Sequence, residues 1–212
     1  MDNITKTNLP ILFERFSEVF AEQKDALIAL DSKVGDSDLG LTMAKGFAAA
    51  TAAVSALEDA SVETQLKTAG VAIARAAPST MGTLMATGFM RGSAAVKDCE
   101  MLGTVQLADF WVAFRDGVAQ RGRVQVGDKT VVDVLHPIAE TMIKQAESGA
   151  ALTEALHIAY ASASEALEAT KDLVAQHGKA AAFQEKTRGI QDAGSTVAVI
   201  LIKAMADFVS EL

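Results

Sequence analysis

Cysteine is nearly missing from this chain. Cys99 stands alone, which excludes an intrachain disulfide, fits a reducing compartment and leads us to expect a cytoplasmic protein. With no motif around it, Cys99 reads as a small packed residue rather than a nucleophile. Proline is scarce, three residues in 212, and aromatics make up only 5%. Proline breaks helix interiors, so its scarcity leaves long helices open, and small side chains let helices pack closely. Positive charge is the minority sign: 19 Lys and Arg face 27 Asp and Glu, for a net charge of −8. That speaks against a nucleic-acid or anionic-membrane surface, where a basic patch is expected. The opening residues, Met1 to Lys6, show no basic region leading into an apolar run, so no secretory signal is expected. The apolar run Val197 to Ile202 stops at Lys203, too short to span a bilayer. No Ser-His-Asp or Cys-His arrangement is legible, and His136, His157 and His177 share no motif.

What is present is a globular composition, 50% hydrophobic and 22% charged, long enough for a sizeable core. Leu12, Phe13, Phe16, Val19, Phe20, Leu27 and Leu30 share one face at helical spacing, so a helix is expected from about Asn8 to Leu30, with Pro10 in its first turn. Further helices are expected at about Leu39–Leu57, Val62–Ala76, Ser79–Val96, Val105–Gln120, Thr130–Ser148 with a kink at Pro137, Leu152–Ala175 and Ser195–Phe208. Val124 to Val126 is the best strand-like pattern and is too short to count. The expected fold is all-α, an antiparallel eight-helix bundle or barrel, as a single domain over residues 1–212. One connection, Gln176 to Gly194, is long, charged and glycine-bearing, as lids and binding loops are.

The densest chemistry lies between the first two helices. Asp31, Asp36 and Asp38 fall within eight residues, with Gly35 and Gly40 among them. Carboxylates this close repel unless a cation or water screens them, and oxygen-only ligands suit a hard ion such as Mg2+. A calcium EF-hand does not fit, because Leu41 and Phe47 occupy the positions of its glycine and glutamate. A solvated acidic turn with Asp38 capping the next helix remains open. Gly127-Asp128-Lys129-Thr130, followed by Asp133, looks like a phosphate-loop fragment without being a Walker A motif; taken alone, it slightly favours the alternative of an ordinary Asp/Gly turn with Thr130 capping a helix. Ser79 and Thr80 start a helix and can either contact an anion or simply cap it.

Together these fragments resemble the nucleotide-binding L subunit of dihydroxyacetone kinase (DhaL-type). Leu30-Asp31…Gly35-Asp36-Ser37-Asp38-Leu39-Gly40 is similar to that family's L-D-x-x-x-G-D-x-D-H-G. Arg121-Gly122 and Gly127-Asp128-Lys129-Thr130-Val131-Val132-Asp133…Pro137 are similar to its R-G and G-D-K-T-x-x-D-x-x-x-P. Gly178-Lys179-Ala180 and Gly189-Ile190-Gln191-Asp192-Ala193-Gly194-Ser195 are similar to its G-[RK]-A and G-x-x-D-P-G-[AS].

The resemblance implies an eight-helix barrel with nucleotide at one end. It implies Asp31, Asp36 and Asp38 as ligands to two Mg2+ ions, which bridge the phosphates of ADP or ATP. It implies a nucleotide pocket lined by Leu39, Gly40, Leu41, Thr42, Ser79, Thr80, Gly122, Thr130, Lys179, Asp192, Ala193 and Gly194. The implied partners are a K subunit that holds the hydroxyketone and a phosphocarrier M subunit fed by phosphoenolpyruvate, with the chain a homodimer or a dimer within the complex. Departures from the pattern spare the metal ligands and alter the pocket wall. Leu39 stands where the family has histidine, Thr42 where it has asparagine, Ala76-Ala77-Pro78-Ser79-Thr80 for its glycine-rich turn, and Asp192-Ala193-Gly194 for D-P-G. They point to a divergent paralogue acting on dihydroxyacetone or a related ketose. The alternative is a module that senses nucleotide without kinase activity.

Overall fold

The structure is a computed structural model and describes residues 3–212. Met1 and Asp2, which begin the segment read for a signal, lie outside them. Nine α-helices occur among the described residues: α1 (Leu9–Glu22), α2 (Lys24–Asp31), α3 (Leu39–Ser55), α4 (Val62–Ala76), α5 (Thr80–Ala95), α6 (Thr104–Gly122), α7 (Val132–Ser148), α8 (Leu152–Ala169) and α9 (Ala193–Ser210). The all-α expectation holds. The count differs because the first expected helix divides at Gln23, inside the polar run Glu22 to Asp25 that offers the core no apolar side chain.

The division costs no stave of the barrel. α1 and α3 run antiparallel, with Phe20 stacked on Phe47 at 4.4 Å and the Thr51 hydroxyl donating to the Phe13 carbonyl at 2.7 Å. α2 carries that path onward along the start of α3. The approach is so close that a Cβ at Gly40 would overlap the Lys24 carbonyl oxygen. From there each helix packs on the next, α3 on α4 through to α8 on α9, and α9 returns to α1. Eight staves therefore close a ring, with α1 and α2 together forming the first.

Few rings suffice for the core because they are concentrated. Phe13, Phe16, Phe20, Phe47, Phe89, Phe110, Phe114 and Trp111 touch one another in edge-on, tilted and stacked pairs across α1, α3, α5 and α6. Such pairs add about 0.5–1.5 kcal/mol each beyond the area they bury. The other half of the ring packs on small and aliphatic residues, among them Ala139, Ala155, Ala159, Ala163 and Ala198. A cavity of about 10 Å³ lies inside, lined by Ile4, Leu12, Phe16 and Met205 among others, room for no more than a single water. That cavity is too small for a nucleotide.

α9 is long and apolar enough in composition to cross a membrane, at mean hydropathy 1.5. Here Val197, Leu201, Ile202, Met205 and Phe208 are buried against the neighbouring staves. A two-residue antiparallel ladder, β1 (Ile4–Thr5) with β2 (Met101–Leu102), ties the start of the chain to the start of α6. It had no periodicity to be read from. Val124 to Val126 forms no strand.

The alternation of staves gathers the starts of α3, α5, α7 and α9, and the ends of α2, α4, α6 and α8, at one rim. Every motif singled out in the sequence lies there.

Candidate functional site

The aspartate loop is built around Asp31. Its Oδ2 accepts the backbone N–H groups of Asp38 at 3.1 Å and of Leu39 at 3.3 Å. Asp31, at the end of α2, thus caps α3, and Asp38, at the N-cap position, makes no cap bond of its own. Asp38 was expected as that cap. Its carboxylate is instead left for a ligand. Gly35 makes the arrangement possible, since a Cβ there would overlap Asp31 Oδ1 and lie 2.8 Å from the Asp31 carbonyl oxygen. Ser37 completes the turn in the left-handed region, at φ 64°. One oxygen from each of Asp31, Asp36 and Asp38 lies within 4.8 Å of the other two. Asp36 and Asp38 are exposed, which leaves room for the waters that Mg2+ keeps. A cation already stands beside them: the Lys179 ammonium pairs with Asp36. The donor set and the room fit a hard divalent ion.

Leu39 and Thr42 face inward. Leu39 is 6% exposed and belongs to the apolar core, and Thr42 is 8% exposed. Of the four residues expected there, Leu41 presents a side chain to solvent, while Leu39 and Gly40 can offer a ligand only backbone. Ser79 caps α5, its Oγ accepting the Gly82 N–H at 3.1 Å, and Thr80 is exposed beside it. Asp192 caps α9, its Oδ2 accepting the Ser195 N–H at 2.6 Å. Burial pushes the Asp192 carboxyl up to about 6, against the Ser195 hydrogen bonds and the charge of Lys129, which pull it down. The amides of Gly40 and Leu41, and of Ala193 and Gly194, are first-turn amides without an intrahelical acceptor, as an anion site needs.

The Gly127–Thr130 turn works differently from a phosphate loop. Asp133 holds it from below: Oδ1 accepts the Gly127 N–H at 2.6 Å and Oδ2 the Thr130 N–H at 2.7 Å. Those amides are engaged, so what Thr130 offers a ligand is its hydroxyl. α7 consequently begins at Val132 rather than Thr130. Pro137 lies within α7. Lys129 points into the protein, 3% exposed, and its ammonium donates to the carbonyls of Thr170 at 2.5 Å, Leu173 at 3.2 Å and Ile190 at 2.7 Å. Nothing local in the sequence around Lys129 signals this inward direction.

The pattern predicted a helix to Ala175, but α8 gives way after Ala169 to a 3-10 turn, Thr170–Asp172, and Leu173 is extended at ψ 159°. The Thr170 carbonyl accepts both the Leu173 N–H, at 3.2 Å, and the Lys129 ammonium. The long connection then folds as a 3-10 helix, Lys179–Thr187, interrupted at Gln184. It touches the rim at His177 Nε2 to Asp128 Oδ2, 3.2 Å, and at Lys179 to Asp36. Beside it an open cleft of about 390 Å³ is lined by Ala119, Arg123, Val124, Gln125, Asp128 and His177. Gly122 ends α6 next in sequence to the cleft residue Arg123, which turns the chain at φ 55°.

A family model described as the DAK2 domain matches residues 33–207. The ADP-binding subunit DhaL of the PEP-dependent dihydroxyacetone kinase of Escherichia coli is 28% identical over 204 residues, covering 96% of this chain and 97% of that protein. A DhaL subunit of Listeria innocua is 32% identical over 190 residues, 90% of each chain. The L-erythrulose 1-kinase of Mycolicibacterium smegmatis is 32% identical over 204 residues, but these are only 35% of that longer protein. Among solved structures, the dihydroxyacetone kinase of C. freundii in complex with AMP-PNP and Mg2+ superposes with a TM-score of 0.71 at 21% identity, over 93% of this chain and 33% of that one. That likeness is one of fold.

Proposed function

The chain belongs to the DAK2-domain family, and from that premise we propose that it is the ADP- and ATP-binding subunit of a kinase that phosphorylates a hydroxyl of dihydroxyacetone or a related ketose. One observation carries the reading: Asp31, Asp36 and Asp38 converge on a cation's place at the rim where α3, α5, α7 and α9 begin. Helix starts attract phosphate, but an acidic rim repels it, so the two features are compatible only with cations between them.

Asp31, Asp36 and Asp38 would hold Mg2+, two ions in our reading. When bound, Mg2+ neutralises charge on the phosphate oxygens. The chain's own residues do the rest. First-turn amides of α3 and α9 orient the phosphates, with hydroxyls from Ser79, Thr80 and Thr130 nearby. Lys179 supplies a mobile positive charge. The cleft beside Gly122 offers Arg123 and Gln125 to the base and ribose. We assign the ketose to a partner K subunit docking over the site. Rephosphorylation of retained ADP by a phosphoenolpyruvate-fed M subunit, in the cytoplasm, completes the proposal.

Native mass spectrometry of the purified protein with and without EDTA tests it, reading nucleotide, metal count and oligomer together. Mg-dependent ADP or ATP is expected, and its absence sinks the reading. Phosphoryl transfer with a K subunit, lost in D36A while the helical content persists, separates a kinase subunit from a nucleotide sensor. Tight ADP binding with no transfer to any ketose favours the sensor.

A further inference from the structure

A lysine in a phosphate-loop-like motif invites assignment to a phosphate, yet Lys129 has nothing left to give one. An ammonium has three donors, and all three are spent on the carbonyls of Thr170, Leu173 and Ile190. Those acceptors lie on both limbs of the long connection. Thr170 and Leu173 are on the way out from α8, and Ile190 is on the way back to α9. Burial draws the ammonium down from the usual lysine range, with Asp192 and Asp133 opposing. The neighbouring turn residues hold the same segment: the Asp128 carbonyl accepts the Gln176 N–H at 3.0 Å, and the Thr130 carbonyl accepts the Ser195 hydroxyl at 2.8 Å. Between the pinned limbs, among the described residues, Lys179 and His177 bridge from the connection to charged residues of the rim.

We propose that Lys129 is the positioning residue of the connection over the rim. By joining the two limbs at their roots it fixes where Lys179 and the start of α9 stand, and so governs how fast bound nucleotide leaves. This rests on the nucleotide-binding reading for its last clause only. Lys129 touches neither metal nor phosphate. Its loss should therefore not weaken the aspartates' own affinity for a metal, and can raise it only as far as Lys179 leaves Asp36.

The test compares wild type with K129M, and with K129Q, which keeps a shorter, neutral donor. Three readouts are taken: amide hydrogen exchange, the dissociation rate of a fluorescent ADP analogue with Mg2+, and Tb3+ luminescence without nucleotide. Losing charge-assisted bonds at the roots is expected to speed exchange over residues 174–191, and nucleotide release, by about tenfold or more. Exchange in the barrel helices stays within about twofold of wild type, well below one tenfold step, and Tb3+ affinity does not fall and rises by no more than about fivefold, the worth of the exposed Lys179–Asp36 pair. Exchange rising equally in all staves would show a core staple, and unchanged exchange over 174–191 would show that Lys129 positions nothing; either overturns the proposal. Failure of both variants to reach wild-type helicity overturns it as well. If wild type binds no ADP analogue, the nucleotide reading and the release clause fall together, while the exchange pattern still decides what Lys129 holds.

Discussion

Two aspartates of the same cluster should respond oppositely to removal when no metal is present. Asp31 and Asp38 are both expected ligands, but only Asp31 holds the backbone. Their ligand oxygens and that of Asp36 lie no more than 4.8 Å apart, and with Asp36 and Asp38 exposed each like-charge pair costs about 1 kcal/mol near the dielectric of water. D38A relieves two such pairs, a gain of roughly 1–2 kcal/mol that salt reduces. The attraction of the Asp38 charge for the start of α3, about 0.3–1 kcal/mol, works against it. A net gain of roughly 1 kcal/mol remains, or about 2–4 °C in Tm for a chain of this length. D31A obtains the same relief but loses two charge-assisted bonds to amides, roughly 1.5–3 kcal/mol each. At 3.1 and 3.3 Å they are long, so the low end applies and D31A is expected to lose roughly 1–2 kcal/mol net.

Mg2+ at a hundred times its Kd should add about 2.7 kcal/mol to the wild type, roughly 5–10 °C, and little to either variant. Thermal unfolding in EDTA and in Mg2+ reads both effects. If D38A falls in EDTA as far as D31A, the division of labour is wrong. If either variant keeps the full Mg2+ shift, so is the ligand set.

Lys179 and Asp36 form an exposed pair, worth about 0–1 kcal/mol, so K179A is expected to raise nucleotide-free Mg2+ affinity up to about fivefold by calorimetry while weakening ADP binding. Because the folded Asp192 carboxyl is pushed up to about 6, above its unfolded range near 3.8, its contribution to stability falls as pH rises between those values and stays low above them. D192N keeps a cap acceptor and should flatten that part of the pH profile of Tm, and an unchanged slope would count against the burial of the charge. G40A drives a methyl into the Lys24 carbonyl and should cost about 1–3 kcal/mol by denaturant unfolding, as overpacking does, with weakened Mg2+ binding because α2 carries Asp31.

Much of this was legible along the chain. Helical spacing gave the staves, since a face that must be buried repeats every turn whatever it is buried against. The three carboxylates were legible because ligand type and crowding are properties of a short segment. The boundaries that differed have mixed causes. The first helix divides at a polar run, and α7 starts late because Asp133, three residues after Thr130, engages the turn before it. α8 gives way to a 3-10 turn whose Thr170 carbonyl is shared between the Leu173 N–H and Lys129, forty-one positions earlier in the sequence.

The sequence by itself determined that this chain is an all-α protein with an acidic, cation-hungry loop and two glycine-bearing turns. Composition, period and ligand chemistry act over a few residues. Only the tertiary structure decided which way those residues face. It turned Leu39 into the core, made Asp31 the cap and freed Asp38, and sent Lys129 inward to hold the connection that carries Lys179 to Asp36. A side chain at the rim takes its direction from whichever stave arrives beside it, and that neighbour is set by closing the ring.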